Sequence, residues 1–209
     1  MIELVNIKKK FDNNIILDNF NATIEDNEIV AIAGTSGSGK TTLLNILGLL
    51  DVEYEGNVVF NGVSFRGKKY KGRNTFIRNN INYLFQNYAL IDDQSVVDNL
   101  MYAMYYTKYS SKEKNDLIAQ TLDEVGLKGM EKKKIYKLSG GEQQRVALAR
   151  LILKPGNIIL ADEPTGNLDQ TNKIVVLDIL HKLNRAGKAV IIVTHDDEIA
   201  ASCNRIIKL

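Results

Sequence analysis

The sequence predicts an α/β fold built on a parallel sheet, and three observations predict it. The short apolar runs Ile29-Val30-Ala31-Ile32-Ala33, Ile158-Ile159-Leu160-Ala161 and Ala189-Val190-Ile191-Ile192-Val193 read as strands buried on both faces. Between the last two runs, Val176, Ile179, Leu180 and Leu183 recur at helical spacing. Buried strands alternating with amphipathic helices need crossover connections, and hence parallel pairing.

Taken in order, the first third reads as strands. Phe20, Ala22 and Ile24 alternate with Asn21, Thr23 and Glu25, the period-2 pattern of a half-buried strand. Val58-Val59-Phe60 and Val63-Ser64-Phe65 flank Asn61-Gly62, a two-residue hairpin signal whose residues tolerate positive φ. A helix is expected from Thr41 through Leu50. The middle is helical: Ser110-x-x-Glu113 is a capping box, Ile118, Leu122 and Val125 follow at i, i+4 and i+7, and Gly126 stops the helix. A further helix is expected from about Gly141 to Leu153, ending before Pro155-Gly156. The helical stretch, roughly 87 to 154, forms its own lobe, with residues 1–86 and 155–209 making the core of a single domain.

Composition narrows the function. With 27 Lys+Arg against 25 Asp+Glu and 44% hydrophobic residues, disorder is excluded. The near-neutral balance makes no electrostatic case for nucleic acid as a partner, and none is expected. No apolar run exceeds about six residues, whereas a spanning helix needs roughly 18. Lys8, Lys9 and Lys10 stand where a secretory signal would have its apolar stretch, and the single Cys203 cannot close an internal disulfide. The expectation is a soluble protein of a reducing compartment.

Gly34-Thr35-Ser36-Gly37-Ser38-Gly39-Lys40-Thr41 matches G-x-x-x-x-G-K-[ST]. Its glycines let successive backbone N–H groups turn inward around phosphate oxygens. Lys40 would reach the β- and γ-phosphates, the Thr41 hydroxyl would ligate Mg²⁺, and Thr42 continues a helix whose positive end lies under the phosphates. The loop follows a buried strand and precedes a helix, as that mechanism demands. The match implies nucleotide binding without separating kinase, GTPase and transport ATPase.

Asp162-Glu163 closes the strand at 158–161. Beside a phosphate loop, a carboxylate at a buried strand end can hold the Mg²⁺ shell, and Asp162 is assigned that role. Glu163 is then placed to orient or deprotonate the attacking water. The plainer reading is two acidic residues opening a surface loop ahead of Pro164.

Leu138-Ser139-Gly140-Gly141-Glu142-Gln143-Gln144-Arg145 contains another capping box, Ser139-x-x-Glu142. Two consecutive glycines at a helix N-terminus also make an anion site, some 100 residues from the phosphate loop. At these residues the sequence resembles the ATP-binding cassette (ABC) ATPases, over essentially the whole chain. The remaining family parts stand in order. Phe11 lies where the family has an aromatic that stacks on adenine. Gln86 in Tyr83-Leu84-Phe85-Gln86 matches the Q-loop glutamine, which senses Mg²⁺ and water. Gly166-Asn167-Leu168-Asp169 matches the D-loop, and Thr194-His195-Asp196 the switch histidine. Thr41 replaces the commoner Ser, and Glu142 stands where many members have Gln.

The resemblance implies a P-loop NTPase (RecA-like) core with an N-terminal antiparallel β subdomain and an inserted α-helical subdomain. It implies ATP and Mg²⁺ as ligands and a head-to-tail dimer with two ATP molecules at its interface. Each site would take Lys40, Thr41, Asp162, Glu163, Gln86 and His195 from one chain. The partner chain would supply Ser139, Gly140, Gly141 and, near the nucleotide, Glu142, with Asp169 coupling the sites. The nearest resemblance is to the macrolide-exporter and lipoprotein-release group, through Asn45-Ile46-Leu47-Gly48-Leu49-Leu50-Asp51, Glu142 to Arg145, and Leu160 to Asp169. It implies the motor subunit of a transporter, working with an integral membrane permease on the inner face of the membrane and exporting a peptide or bacteriocin, a lipoprotein or a drug-like substrate. Two other classes fit the same motifs: a regulatory ATPase of a cell-division complex and a soluble scaffold ATPase.

Tyr102, Tyr105, Tyr106 and Tyr109, with Met101 and Met104, are expected to pack the helical lobe, a subset meeting the membrane partner near Tyr88-Ala89-Leu90-Ile91. Lys68, Lys69, Lys71, Arg73 and Arg78 read as a solvated face, and His181 as a surface or packing residue.

Overall fold

The computed structural model describes residues 1–12, 14–66, 72–166 and 168–209; Lys68, Lys69 and Lys71 of the basic run and Asn167 of the D-loop motif lie outside the described residues. Strands β1 (Ile2–Phe11), β2 (Asn14–Ile24), β4 (Glu55–Phe60) and β5 (Val63–Phe65) form an antiparallel sheet in the order β2-β1-β4-β5. The β4–β5 hairpin turns at Asn61 (φ 48°) and Gly62 (φ 79°), the positive-φ pair that twisted strands require.

The second sheet is parallel throughout. It comprises β3 (Ile29–Ala33), β6 (Ile81–Leu84), β7 (Ile158–Asp162), β8 (Ala189–Thr194) and β9 (Arg205–Lys208), in the order β6-β7-β8-β3-β9. Its register brings the carboxyl ends of four strands to one edge: Leu84 pairs with Ala161, Asp162 with Val193 and Ala33 with Thr194. That edge is where ligands bind in open α/β sheets.

Side-chain alternation along the buried strands splits the core in two. Val30, Ile32, Ile191 and Val193 pack with the antiparallel sheet and helix α1 (Lys40–Leu47). Ile29, Val190 and Ile192 pack with the opposite layer. That layer carries α3 (Val96–Ala103), α4 (Ser111–Glu124), α5 (Gly140–Leu153) and α6 (Gln170–Arg185). Numbered in chain order, α2 (Arg73–Asn80) precedes β6 and α7 (Asp197–Ala201) precedes β9. Capping boxes open α3, α4 and α5 at Ser95, Ser110 and Ser139, and Gly126 (φ 71°) follows the end of α4. The expected stripe of α6 is buried at Val176, Ile179, Leu180 and Leu183.

Two expectations are corrected. The helix after the phosphate loop ends at Leu47 rather than Leu50. Leu49 takes φ 56°, and the N–H groups of Leu50 and Asp51 both fold back onto the Asn45 carbonyl. The four tyrosines do not pack the helical layer: Tyr102, Tyr105, Tyr106 and Tyr109 are all exposed. Helix α3 stops at Ala103, so helical spacing no longer turns the following tyrosines inward, and Met104 alone of the segment 104–106 is buried.

Candidate nucleotide and catalytic site

The loop between β3 and α1 owes its shape to left-handed backbone at Gly37 (φ 81°) and Gly39 (φ 97°). A Cβ on Gly39 would stand 2.7 Å from Ile16 Cγ2, so only glycine lets the loop lie against β2. Lys40 is buried, and its Nζ donates to the carbonyls of Gly34 and Thr35, each at 2.8 Å. The lysine thus closes the loop upon itself. Ser38 Oγ is buried within the loop without a hydrogen-bond partner. A buried cation held by neutral carbonyls and an orphaned hydroxyl are what an anion would satisfy.

Residues from the other strand ends converge on this loop. Thr41 Oγ1 donates to Asp162 Oδ1 at 3.2 Å, joining the first residue pair of α1 to the end of β7. Burial holds the Asp162 carboxyl above the ordinary carboxylate range; the Thr41 hydrogen bond and the Lys40 charge oppose this, and the Glu163 charge adds to it. Glu163 accepts φ 45°, a conformation that costs a non-glycine residue on the order of 1–3 kcal/mol. Its N–H bonds the Val193 carbonyl at 3.0 Å and its carbonyl accepts from Gly166 N–H at 3.2 Å, which over-determine the turn. Glu163 Oε1 then lies 2.8 Å from His195 Nδ1.

A cavity of about 460 Å³ is lined by Ser36, Gly37, Gly39, Lys40, Thr41 and Thr42 from the loop. Gln86, Glu163, Gly166, His195 and Ile16 complete the wall. Phosphate-loop donors, a carboxylate and an imidazole facing one space can bind a polyphosphate and place a base against it. Among the described residues no group of three or more His, Cys, Asp or Glu side chains could hold a metal ion by itself. The oxygen pair of Thr41 and Asp162 instead fits a hard divalent cation that keeps waters and shares the ligand's phosphate oxygens.

Several sequence-identified residues lie outside that wall. Phe11 is exposed at the end of β1, and Ile16 on the adjoining strand enters the lining in its place. Ser139, Gly140, Gly141 and Glu142 form the start of α5, where Ser139 N–H and Oγ both bond the Glu142 carboxylate at 2.7 and 2.9 Å. Those hydrogen bonds hold Glu142 below the usual carboxylate range. Asp169 caps α6: it accepts from Asn172 N–H at 2.9 Å and from Asn172 Nδ2 at 2.7 Å. Asn172 Oδ1 in turn takes a 2.7 Å bond from Arg145 Nη1, and a Cβ on Gly141 would come within 3.1 Å of Asn172 Nδ2. Asn172 thus bonds both Asp169 and Arg145 and lies close beside Gly141.

Ile16, Asn172 and Gln144 were not singled out by sequence reasoning. Gln144 is buried, and its Nε2 donates to the carbonyl of Pro164, next to Glu163. Its signal was present: Gln144 shares the apolar stripe of Ala147, Leu148 and Leu151 at i, i+3, i+4 and i+7, where a polar side chain needs a buried partner. Ile16 is the middle of the apolar run Ile15-Ile16-Leu17 and carried no such signal.

Comparison with known proteins bears on this geometry. The family model described as "ABC transporter" matches residues 17–166. The macrolide export ATP-binding/permease protein MacB of Campylobacter jejuni is 41% identical over 209 residues, and that of Escherichia coli 40% over 213 residues. Each match covers 100% of this chain and 33% of the relative, so the chain spans about a third of the length of those curated relatives. The dimeric structure of a bacterial ABC transporter cassette superposes with a TM-score of 0.90 at 36% identity, covering 100% of this chain and 94% of that one. A post-hydrolysis state of the same cassette, bound to ADP and phosphate, gives 0.89 at 36% identity over the same share of both chains.

Proposed function

This chain belongs to the ABC transporter family of ATP-hydrolysing cassettes, and from that premise we propose that it is the motor of a MacB-like exporter, hydrolysing ATP at the interface of two copies. The observation that carries the proposal is that one cavity gathers the phosphate loop, Gln86, Glu163 and His195, while Ser139 to Glu142 lie outside it. A second copy, placed head to tail, would supply those residues to close the site.

In this reading Phe11 stacks on the adenine, and the loop from Gly34 to Thr42 holds the phosphates. Lys40 exchanges its two carbonyl partners for β- and γ-phosphate oxygens. Thr41, Asp162 and Gln86 would hold Mg²⁺, which when bound neutralises charge on the β- and γ-phosphates. Glu163 takes a proton from the attacking water as the new P–O bond forms and the bond to the β-phosphate oxygen breaks. His195 fixes the direction of the Glu163 carboxylate through its Nδ1 and presents its other nitrogen toward the γ-phosphate. Ser139, Gly140, Gly141 and Glu142 of the second copy close over the same phosphate, and Asp169 couples the sites. The segment 87–154 carries Ser139 to Glu142 and moves as a lobe against the core.

Among the described residues no helix is long and apolar enough to cross a membrane. In this reading the transmembrane part is a permease, as in the ATP-binding/permease relatives, with this chain seated on the cytoplasmic face. Its docking surface is the groove of about 790 Å³ beside α3, where Tyr102, Tyr106 and Tyr109 meet Arg78, Lys154 and Lys188. Aromatic anchors with a basic rim suit an amphipathic helix carrying acidic residues. A motor of this kind does not touch its cargo, which is a peptide such as a bacteriocin, a lipoprotein or a drug-like molecule. The test is capture from detergent-solubilised membranes with Glu163→Gln, ATP and Mg²⁺. Recovery of an integral membrane protein with a large extracytoplasmic domain supports the exporter; recovery of soluble partners alone rejects it.

A further inference from the structure

Lys9 is a buried cation outside the cavity wall, and nothing in the mechanism above uses it. Only 4% of its side chain is exposed, an unusual state for lysine unless the charge is paired. Its Nζ lies 2.7 Å from Asp51 Oδ2 and donates to the Glu53 carbonyl at 2.7 Å, both on the segment that follows α1. The same Nζ stands 4.7 Å from the centroid of the Phe11 ring. The ammonium is thereby fixed from the core side and covers one face of an aromatic ring that is otherwise half exposed.

The position of that ring relative to the phosphate loop is set by strand register. Phe11 pairs with Asn14 at the end of the β1–β2 ladder, and Lys9 pairs with Leu17. Ile16, between those partners on β2, lies against Gly39 and lines the cavity. Strand β2 thus meets the phosphate loop through Ile16, and Phe11 ends the strand paired beside it.

We propose that Lys9, anchored by Asp51, is a positioning residue that holds Phe11 ready to receive the nucleotide base on its free face. The inference rests on the reading of Phe11 as the base platform. A free exposed phenylalanine samples several rotamers, and a ligand that stacks on it must order it. A cation over one face selects one ring orientation before the ligand arrives, and it draws π density away from the opposite face, where an electron-rich purine would stack. Lys9 acts through Phe11 and touches neither phosphate nor water.

The experiment compares binding of ATP with binding of inorganic tripolyphosphate, which has no base. Phe11→Ala should weaken ATP binding by roughly tenfold or more, the usual worth of a base–aromatic stack, and leave tripolyphosphate unchanged. Lys9→Met should weaken ATP alone by about two- to fivefold, Lys9→Arg should restore it, and Lys9→Met added to Phe11→Ala should cost nothing more. If Phe11→Ala lowers the ATP preference and Lys9→Met does not, the proposal fails and the base platform stands. If Phe11→Ala leaves the preference intact, the platform reading fails and Lys9 falls with it. Because Lys9→Met strands a carboxylate, Lys9→Met/Asp51→Asn is measured in parallel. Equal loss of both ligands in that double variant overturns the proposal, since Lys9 would then serve the fold as a whole.

Discussion

Glu163 Oε1 sits 2.8 Å from His195 Nδ1, although the two residues follow different strands of the parallel sheet. The pairing of Asp162 with Val193 sets the two strand ends side by side, and the left-handed turn at Glu163 aims the carboxylate across them. A bond made by strand register and a strained turn is pre-organised, which is where catalytic positioning is effective.

The first prediction concerns that pair. Glu163→Gln keeps the turn and its backbone bonds but has no base, so ATP binding should persist while turnover falls by about 10²–10⁴, the span of a lost general base. Single-turnover hydrolysis beside equilibrium ATP binding reads both. His195→Ala should lower kcat with little change in ATP affinity, since it leaves the phosphate loop untouched.

Asp162 links the site to pH. Its folded carboxyl titrates above the ordinary value because it is buried, so the folded state holds that proton more tightly than the unfolded one. The stability this supplies is present below the ordinary carboxylate range and is lost as pH rises through the raised value. At neutral pH without a cation, the ionised group therefore opposes folding. Asp162→Asn should raise the nucleotide-free Tm at pH 7.5 and converge with the parent toward pH 4. The same variant should lose the extra Tm rise that Mg²⁺ gives to the ATP-bound protein. A lower nucleotide-free Tm in the variant at pH 7.5 would contradict the assignment.

Cys203 should be a slow thiol. Burial pushes it up to about 11 from an ordinary value near 9, so its thiolate fraction at pH 8 falls by about a hundredfold. Reaction with a disulfide reagent at pH 8 should be slower in the native protein than in denaturant, by roughly tenfold once the greater nucleophilicity of a higher-pKa thiolate offsets part of the loss.

The capping serines separate structure from function. Ser110→Ala and Ser139→Ala each remove a side chain that accepts from the N3 amide, at a cost of about 0.5–2 kcal/mol. Urea unfolding should show similar losses for both. Only Ser139→Ala should also reduce ATPase activity at saturating ATP, because Ser110 is not among the residues that the second copy would supply.

Much of this architecture was legible because local chemistry and tertiary role agree. The runs at 29–33, 158–161 and 189–193 became the centre of the parallel sheet because strands buried on both faces have no polar side to show. The capping box at Ser110 and the stop at Gly126 bound α4 as their spacing implied. Strand β1 fell within the first third read as strands but was not picked out by itself: its alternation breaks where Asn6 takes φ 52° and the register shifts, so no clean period survives. The cavity residues Lys40, Thr41, Glu163, Gln86 and His195 were named from their motifs; Lys40 and Thr41 open α1, and Gln86, Glu163 and His195 follow the ends of β6, β7 and β8. Tyr105, Tyr106 and Tyr109, beyond α3, misled because residue type and spacing do not show where a helix stops; Tyr102, within α3, lies on its exposed side. Lys9 and Asn172 acquire meaning only from partners far away in sequence, at Asp51 and Arg145, whereas Gln144 could have been found from the apolar stripe it interrupts.

The claim on which the account turns is that two copies share the nucleotide, and the solution mass of Glu163→Gln tests it directly. With ATP and Mg²⁺ the mass should double, and replacing Ser139 by Arg should return it to that of a single chain. A mass that stays at one chain with ATP bound, or a dimer indifferent to Ser139→Arg, would contradict a site completed by the second copy.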